Sequence, residues 1–547
     1  MAMLRGLSLM LSVTFFSGCL VSVPSLASSD GFLQCIREKI PSELVYTQCN
    51  ANFSAVLASS VRNPKFFTTT VRPLCVVTPT HASHVQAAVL CGRWQGVRLR
   101  GVPPRARGGG HDYEGLSYRS VRPEVFGLLD LANLRAVSVN HWEYTAWVDS
   151  GATIGELYYA IGKNNPEVAF PAGECPTIGV GGHFSGGGVG MMMRKYGLSI
   201  DNILDAKLVN ANGQLLDRAG MGEDLFWAIR GGGGGSFGIV LSWKVHLVQV
   251  PPTVTVFSIA KTLEQGAIDI LTKWQDVGPS LPADLTVTVM LSGQQAAFRA
   301  MYLGTCSSLV ATMGERLPEL NMTSADCQPM TWLQSTALSF ITFTNNKPLE
   351  EALLSRTTSL STFTKVKSDY VTRAIPKTAW KDIFSWFAMN GAGLIVLEPH
   401  GGLMATIPAA ATPYPRRSGV LYISQYIAFW QGDGGTAATT WLGSFYDFMG
   451  HYVSSNPRQA YGNFRDLDIG QNAVSDDLST TSQSGKIWGE RYFMSNYQRL
   501  ASVKAAVDPM DYFRNEQSIP PLRPVPAFND YNDDPSEQRF MPQDPIN

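Results

Sequence analysis

The sequence predicts a two-domain chain of α/β and α+β character, on three observations. The chain has 547 residues, too many for one ordinary domain. Strand-like and helix-like patterns alternate from residue 73 to residue 250. Pro251-Pro252 then interrupts the chain, and the alternation restarts at residues 254–260. The net charge is −1, from 43 basic and 44 acidic residues, which argues against nucleic acid or an acidic membrane surface as a partner. At 45% hydrophobic with 12 Trp, the chain can bury a large core.

Residues 1–27 read as a secretory signal peptide: Arg5, a mostly apolar run at 7–20, and Ser25-Leu26-Ala27 as a small-residue cleavage site. The run is short for a membrane span, so the expectation is an exported protein with no membrane partner. Residues 28–70 form an N-terminal segment. Export permits disulfides, and seven cysteines remain once Cys19 leaves with the leader. An odd count calls for an explanation. Cys306–Cys327 is expected as a local bridge, whereas Cys49 and Cys75 either pair or stay reduced. Asn52 and Asn321 each open a glycosylation sequon.

Between residues 71 and 250, strands are expected at 74–77, 97–100, 125–131, 137–139, 146–149, 203–209 and 215–216, and finally at 238–250. One helix ends near Gly92 with Val85, Ala88 and Val89 on one face, and another covers 154–161. Asn212-Gly213 reads as a two-residue hairpin turn. In the segment 251–454, a strand at 254–260, a helix near 263–275 and a strand at 285–291 suggest a second α/β domain. Helices are expected around 488–507, and the tail 523–547, rich in Pro, Asp and Asn, reads as disordered.

The chemistry concentrates in glycine loops. Residues 105–118 read RARGGGHDYEGLSY, and 171–190 read PAGECPTIGVGGHFSGGGVG. Gly108, Gly109 and Gly110 let the backbone approach a ligand, and consecutive N–H groups there suit a diphosphate. His111 and Tyr113 follow at once. A third glycine run occupies 231–235. None of these is the nucleotide-triphosphate loop. A lone His in a glycine turn is more often a surface residue, and the bland reading of the Cys is a buried structural thiol, which its IGVGG context and the paired His argue against. One loop with a His and another with Cys175 nevertheless suggest two side chains brought to one ligand. The histidines show no metal-ligand spacing, and no serine-hydrolase elbow occurs.

The stretches GGHDYEGLSYRS, CPTIGVGGHFSGGG, RKYG, LVNANG, FWAIRGGGGGSFGIV, YGNFRDLDIG and DYFRNEQSIPP occur in that order. Together the chain resembles the plant berberine-bridge-enzyme-like flavoproteins of the vanillyl-alcohol-oxidase/p-cresol-methylhydroxylase class, and among them the grass group 4 pollen allergens. The resemblance implies a two-part FAD-binding domain, 71–250 joined by a returning segment 455–522. It also implies a substrate domain over 251–454, an antiparallel sheet backed by helices. It implies a Cys35–Cys91 bridge and FAD held by two covalent bonds, His111 to the 8α carbon and Cys175 to ring carbon 6. Each bond forms by attack on an electron-poor ring, so His111 needs a neutral nitrogen, and Cys175 a thiolate that nearby N–H groups would favour. Gly179, Val180, Gly181 and Gly182 would join the first glycine loop in cradling the diphosphate, with Asn463 against the cofactor. Ile178 stands where the family gates oxygen: Val admits it, Ile hinders it.

The resemblance also exposes departures. Phe464, Val189 and Ile423 stand where relatives carry Tyr, an aromatic, and Lys or Asn, and none of the three can accept a proton. Tyr113 and Tyr461 remain as candidate proton acceptors beside Gln425, which keeps a familiar active-site place. Without a glutamate at 425, alkaloid ring closure is disfavoured. The expected activity is hydride transfer from an alcohol or hemiacetal, such as a carbohydrate, to FAD. Reoxidation by oxygen should be slow and another acceptor, quinone-like, preferred. Oxidation of a lignin-precursor alcohol and a catalytically weak wall or pollen protein are the alternatives. A secreted monomer, free or in the cell wall, is expected.

Overall fold

Short apolar runs flanked by turn residues form the first sheet. In the computed structural model, Val45–Thr47, Cys75–Val77, Phe126–Asp130 and Arg98–Val102 lie side by side in that order. The last three are mutually parallel, because the helix Ala82–Trp94 carries the chain back between Cys75–Val77 and Arg98–Val102. Residues 26–59, 61–67, 71–102, 110–338, 346–357, 362–474 and 480–522 are described by the structure. The leader up to residue 25, Gly108, Gly109 and the tail 523–547 therefore lie outside the described residues. Leu26 and Ala27 open the helix Leu26–Lys39, which Cys35–Cys91 ties to Ala82–Trp94.

A second, antiparallel sheet packs beside it in the order Val137–Asn140, Thr145–Asp149, Ile239–His246, Ile203–Val209, Leu215–Leu216. The hairpin at its edge differs from the expected two-residue turn. Asn210 N–H bonds the Gln214 carbonyl and Gly213 N–H bonds the Asn210 carbonyl, both at 3.0 Å. The loop is thus 211–213, closed by Gly213 at φ +73°. The Asn210 side chain decides this by accepting from the N–H groups of Asn212 and Gln214 at 2.9 and 3.0 Å. The expected strand 238–250 is likewise split: Ile239–His246 belongs to this sheet, and Val248–Gln249 pairs with Val168–Ala169.

Beyond Pro251-Pro252 the second domain is one seven-stranded antiparallel sheet. Val254–Thr262 and Leu285–Ser292 point the same way, as a helical crossover through Ala267–Val277 requires. They are not neighbours, because Gln295–Tyr302 folds back between them and pairs with both. Local pattern therefore suggested a parallel pair where hairpin closure makes an antiparallel sheet, and the fold is α+β. Trp274, Trp380 and Phe445, from the helices Ala267–Val277, Lys377–Ser385 and Gly435–Met449, bury their rings in a core that includes Val287, Phe298 and Tyr426. Cys306–Cys327 closes a loop at one end of this domain. Cys75 is buried and Cys49 exposed, and no disulfide joins them.

The chain then returns to the first domain. Helices Ser482–Phe493 and Asn496–Val507 pack there, and Tyr512 donates its hydroxyl to the Val89 carbonyl at 3.2 Å. The fully buried Lys504 bonds the Ser236 carbonyl at 2.7 Å and Asp508 at 2.6 Å. Two ionic devices hold the domains together. The Arg194 guanidinium, fully buried, donates to the carbonyls of Leu281 and Pro279 at 2.6 and 3.0 Å and to that of Leu285. On the strand Phe363–Val371, Lys365 meets Glu114 and Asp466, and Lys367 meets Asp466 and Asp468 at 2.8 and 2.7 Å. Removing one partner from such a buried set leaves a desolvated charge, which costs about 3–5 kcal/mol.

Candidate active site

The loop that carries His111 is shaped by its own short polar side chains. Gly110 takes φ +54°, where a side chain is disfavoured. Buried Asp112 then accepts from Glu114 N–H and Ser117 Oγ, both at 3.1 Å, turning the chain so that His111 and Tyr113 face one cavity. His111 Nε2 lies 2.9 Å from Thr177 Oγ1. Thr177 sits in a turn that Ile178 N–H closes on the Cys175 carbonyl at 3.1 Å, so His111, Cys175 and Ile178 line the same cavity.

This cleft has an open volume of about 1320 Å³ and lies between the two domains. The first domain contributes His111, Tyr113, Cys175, Ile178, Gly179, Gly182 and Val189; the sheet contributes Leu394, Glu398, Gln425, Ile427 and Phe429; and the returning segment contributes Tyr461, Asn463 and Phe464. Gln425 Nε2 donates to the Tyr113 hydroxyl at 3.1 Å. The Tyr461 hydroxyl accepts from Gly188 N–H at 3.0 Å, Val189 N–H at 3.4 Å and Asn463 Nδ2 at 3.1 Å. Asn463 Nδ2 also donates to the His183 carbonyl at 3.0 Å. The ring edge of Phe464 packs against both Tyr113 and Tyr461, with centroids 6.3 and 5.0 Å apart.

Several expectations do not survive. Val180 lies wholly in the core and its N–H bonds the Ala152 carbonyl at 2.9 Å, so it is unavailable to a diphosphate. Gly181 is buried in the first turn of the helix Val180–Gly186, and its carbonyl accepts from Ser185. Of that quartet, Gly179 and Gly182 face the cleft. Ile423, as expected, offers no proton acceptor: it pairs with Glu398 on the sheet face that lines the cleft and is fully buried in the core there. The Cys175 thiol is not held as a thiolate: burial, and then the neighbouring Glu174, push it up to about 12.

The sequence reading also missed titratable groups that the fold brings in. Glu398 stands in the wholly buried strand Leu394–Pro399 and faces the cavity. Burial and then Glu174 push its carboxyl up to about 8, with Arg299 opposing. Burial likewise raises Glu174, which sits 3.7 Å from the Arg299 guanidinium. Tyr461 goes up to about 12 through burial, despite its three donors. Glu398 thus offers, near Tyr461, a proton that is exchangeable close to neutral pH. A single carboxyl inside the apolar run LIVLEP was the available signal. His183 was also missed; its Nε2 accepts from Gly173 N–H at 3.0 Å at the cavity wall.

A second compartment of about 880 Å³ shares Gly182 and Asn463 with the first. The glycine run Gly231 to Gly235 lines it, together with Arg465 and Arg514. A side chain at Gly186 would sit 2.1 Å from Asn463 Oδ1, and one at Gly234 would sit 2.8 Å from Ser185 Oγ, so glycine keeps this passage passable. Arg465 Nε and Arg514 Nη2 are buried donors without a partner among the described residues. Two joined compartments, one with glycines and unpaired guanidinium donors and one with His and Cys, fit an elongated dinucleotide such as FAD.

A family model described as an FAD binding domain matches residues 73–218, and one described as berberine and berberine like matches 460–520. Berberine bridge enzyme-like Cyn d 4 of Cynodon dactylon is 54% identical over 493 residues, covering 90% of this chain and 93% of its own. The chain belongs to the berberine-bridge-enzyme-like family. It is an FAD-dependent oxidoreductase. Berberine bridge enzyme-like 27 of Arabidopsis thaliana is 42% identical over 95% of this chain and 98% of its own. The crystal structure of Bermuda grass isoallergen BG60 superposes with a TM-score of 0.87 at 53% identity, and that of Phl p 4.0202, described as a glucose dehydrogenase, with 0.87 at 50%. Each covers 90% of this chain and 100% of that one.

Proposed function

We propose that this chain is a secreted dehydrogenase that oxidises a hemiacetal or alcohol of a carbohydrate, with FAD bonded to both His111 and Cys175. The observation that carries it is the cleft that joins these two side chains to Glu398, Gln425, Tyr113 and Tyr461. The likeness to Phl p 4.0202, described as a glucose dehydrogenase, supports the donor class. When bound, FAD supplies an electron-poor ring that accepts the hydride from the substrate carbon.

The chain's own residues handle the rest. The substrate hydroxyl must lose a proton as its carbon loses a hydride, leaving a lactone from a hemiacetal or a carbonyl from an alcohol. Glu398 takes that proton as carboxylate. Tyr461, held by the N–H groups of Gly188 and Val189 and by Asn463, presents a hydroxyl to the same face. Gln425 and Tyr113, bonded to each other, orient the sugar hydroxyls. Gly179 and Gly182, which line the joined compartments, would border the phosphates, and Arg465 and Arg514 would offer them donors. Because burial raises the Cys175 thiol, bonding to the ring would require it to give up its proton on attack, the ring taking the electron pair until an external acceptor such as oxygen removes it.

Ile178 borders the cavity, where it hinders oxygen and keeps reoxidation slow. An isoleucine-to-valine variant of Phl p 4 is described as a glucose oxidase, which supports a gate of this kind. Secretion rests on residues 1–27 and the two disulfides; Asn52 and Asn321 are both exposed, as glycosylation requires. A lignin-type aryl alcohol is the second reading, favoured by the apolar wall of Leu394, Ile427 and Phe429.

The test is a visible spectrum of the purified protein before and after acid precipitation, then under anaerobic glucose, other sugars and cinnamyl-type alcohols. Yellow colour in the precipitate, bleached by a sugar in the native protein, is the expected result. Colour released to the supernatant refutes the covalent bonds. Bleaching by aryl alcohols alone selects the second reading, and a spectrum that no donor bleaches refutes both.

A further inference from the structure

A basic pair, Arg416 and Arg417, lies behind the cleft. Arg416 and Arg417 follow the loop that Asn496 pins through the carbonyls of Ala409 and Thr412, at 2.8 and 3.2 Å. The charge of Arg417 is paired: its two terminal nitrogens each meet Asp201 at 2.7 Å, and Nη2 also donates to Thr412 Oγ1 at 2.8 Å, although its Nε has no partner among the described residues. Arg416 differs. It is 7% exposed, and its Nε and Nη2 have no hydrogen-bond partner among the described residues.

The surroundings of Arg416 are polar and uncharged. Its guanidinium carbon lies 5.6 Å from the centre of the Tyr370 ring. The Tyr370 hydroxyl donates to that of Tyr414 at 3.1 Å, and the Tyr414 hydroxyl lies 3.1 Å from His400 Nε2. His400 adds no charge, since burial holds it down to about 3, with Arg417 and Arg416 acting in the same direction. The groups that favour the charged form of Arg416 are the two tyrosines. Asp201 is engaged through both oxygens by Arg417, and Arg416 makes no ion pair among the described residues, so its charge is buried without a counter-charge in contact.

A buried charge without a partner is costly, and two buried donors without acceptors add to that cost. Nε–H and Nη2–H lie on one edge of the guanidinium plane and converge on a single point, the geometry with which arginine holds anions. The low exposure of the site requires a small ligand. We propose that Arg416 binds a small monovalent anion of the halide class, gripped by Nε and Nη2 behind Tyr370 and Tyr414. The anion neutralises the cluster and fastens the loop that carries Tyr414. The ring of Tyr414 meets Tyr461, with centroids 5.8 Å apart, so the site buttresses the wall of the cleft from outside.

Crystals of the FAD-loaded protein soaked in bromide test this directly. An anomalous peak within hydrogen-bond reach of both Arg416 Nε and Nη2 is expected; a water there, or no peak, overturns the proposal. In solution, replacing methanesulfonate by chloride at constant ionic strength should raise Tm along a saturable curve, by about 1–2 °C for a protein of this size. Arg416→Gln should abolish that rise. A wild-type Tm that does not respond overturns the proposal. Neither wild-type measurement depends on the variant, so a misfolded Arg416→Gln leaves both decisive.

Discussion

Glu398→Gln separates the proton acceptor from the rest of the cleft. The substitution keeps the size of the side chain and removes a cavity carboxyl that titrates near neutrality. Burial and Glu174 push this carboxyl up to about 8. At pH 7 roughly a tenth of it is then ionised and at pH 9 roughly nine tenths, so flavin reduction should quicken about ten-fold over that range if the carboxylate is the base. Removing a positioned base costs about 10²–10⁴-fold in rate. The assay is anaerobic stopped-flow bleaching of the flavin by glucose from pH 6 to 10, in wild type and variant. A loss of this size with a flat pH profile is expected. The mechanism is refuted if the variant keeps both its rate and the rise near pH 8. A wild-type profile without that rise would equally remove Glu398 from the role, and Tyr461 would become the acceptor.

The remaining predictions concern the gate, the ionic lock and the covalent attachment. Ile178→Val should speed reoxidation of the reduced protein by air while leaving its anaerobic reduction unchanged; an unchanged oxidase rate would refute the gate. Asp468 is held down to about 2, and although its own burial opposes this, Lys365 and then Lys367 prevail. A depressed carboxyl stabilises the fold above its unfolded value of 3.8 and loses that contribution as pH falls towards 2, so unfolding by urea should ease across that window. Lys367→Met should flatten this dependence, and a slope equal to that of wild type would exclude the lock from acid stability. Cys175→Ala should leave flavin attached through His111 alone, so acid-precipitated protein should stay yellow; the double change with His111→Ala should release the colour.

Much of the site was legible because its signals are local. Three glycine runs, a His after the first and a Cys inside the second need only neighbours in sequence to mark a ligand, and the structure brings His111, Cys175, Ile178, Tyr113, Gln425 and Tyr461 to one cleft. Glu398 was not legible because a single carboxyl inside the apolar run LIVLEP gains its raised pKa and its place in the cleft only when the sheet packs against the first domain. Cys175 shows the opposite error: backbone N–H groups suggested a thiolate, and burial beside Glu174 decides otherwise.

The sequence by itself determined the family, the oxidoreductase chemistry and the elements, since hydrophobic period, turn residues and glycine spacing act over a few residues. It did not determine which strands are neighbours: Gln295–Tyr302 inserts between two strands whose local pattern reads as a parallel pair. It also did not determine which ionisable groups are perturbed. Glu398, Glu174 and Arg299 come from separate segments and meet across the domain boundary. Desolvation and charge proximity depend on the packed neighbours of a group in space, so those properties arise from the tertiary structure alone.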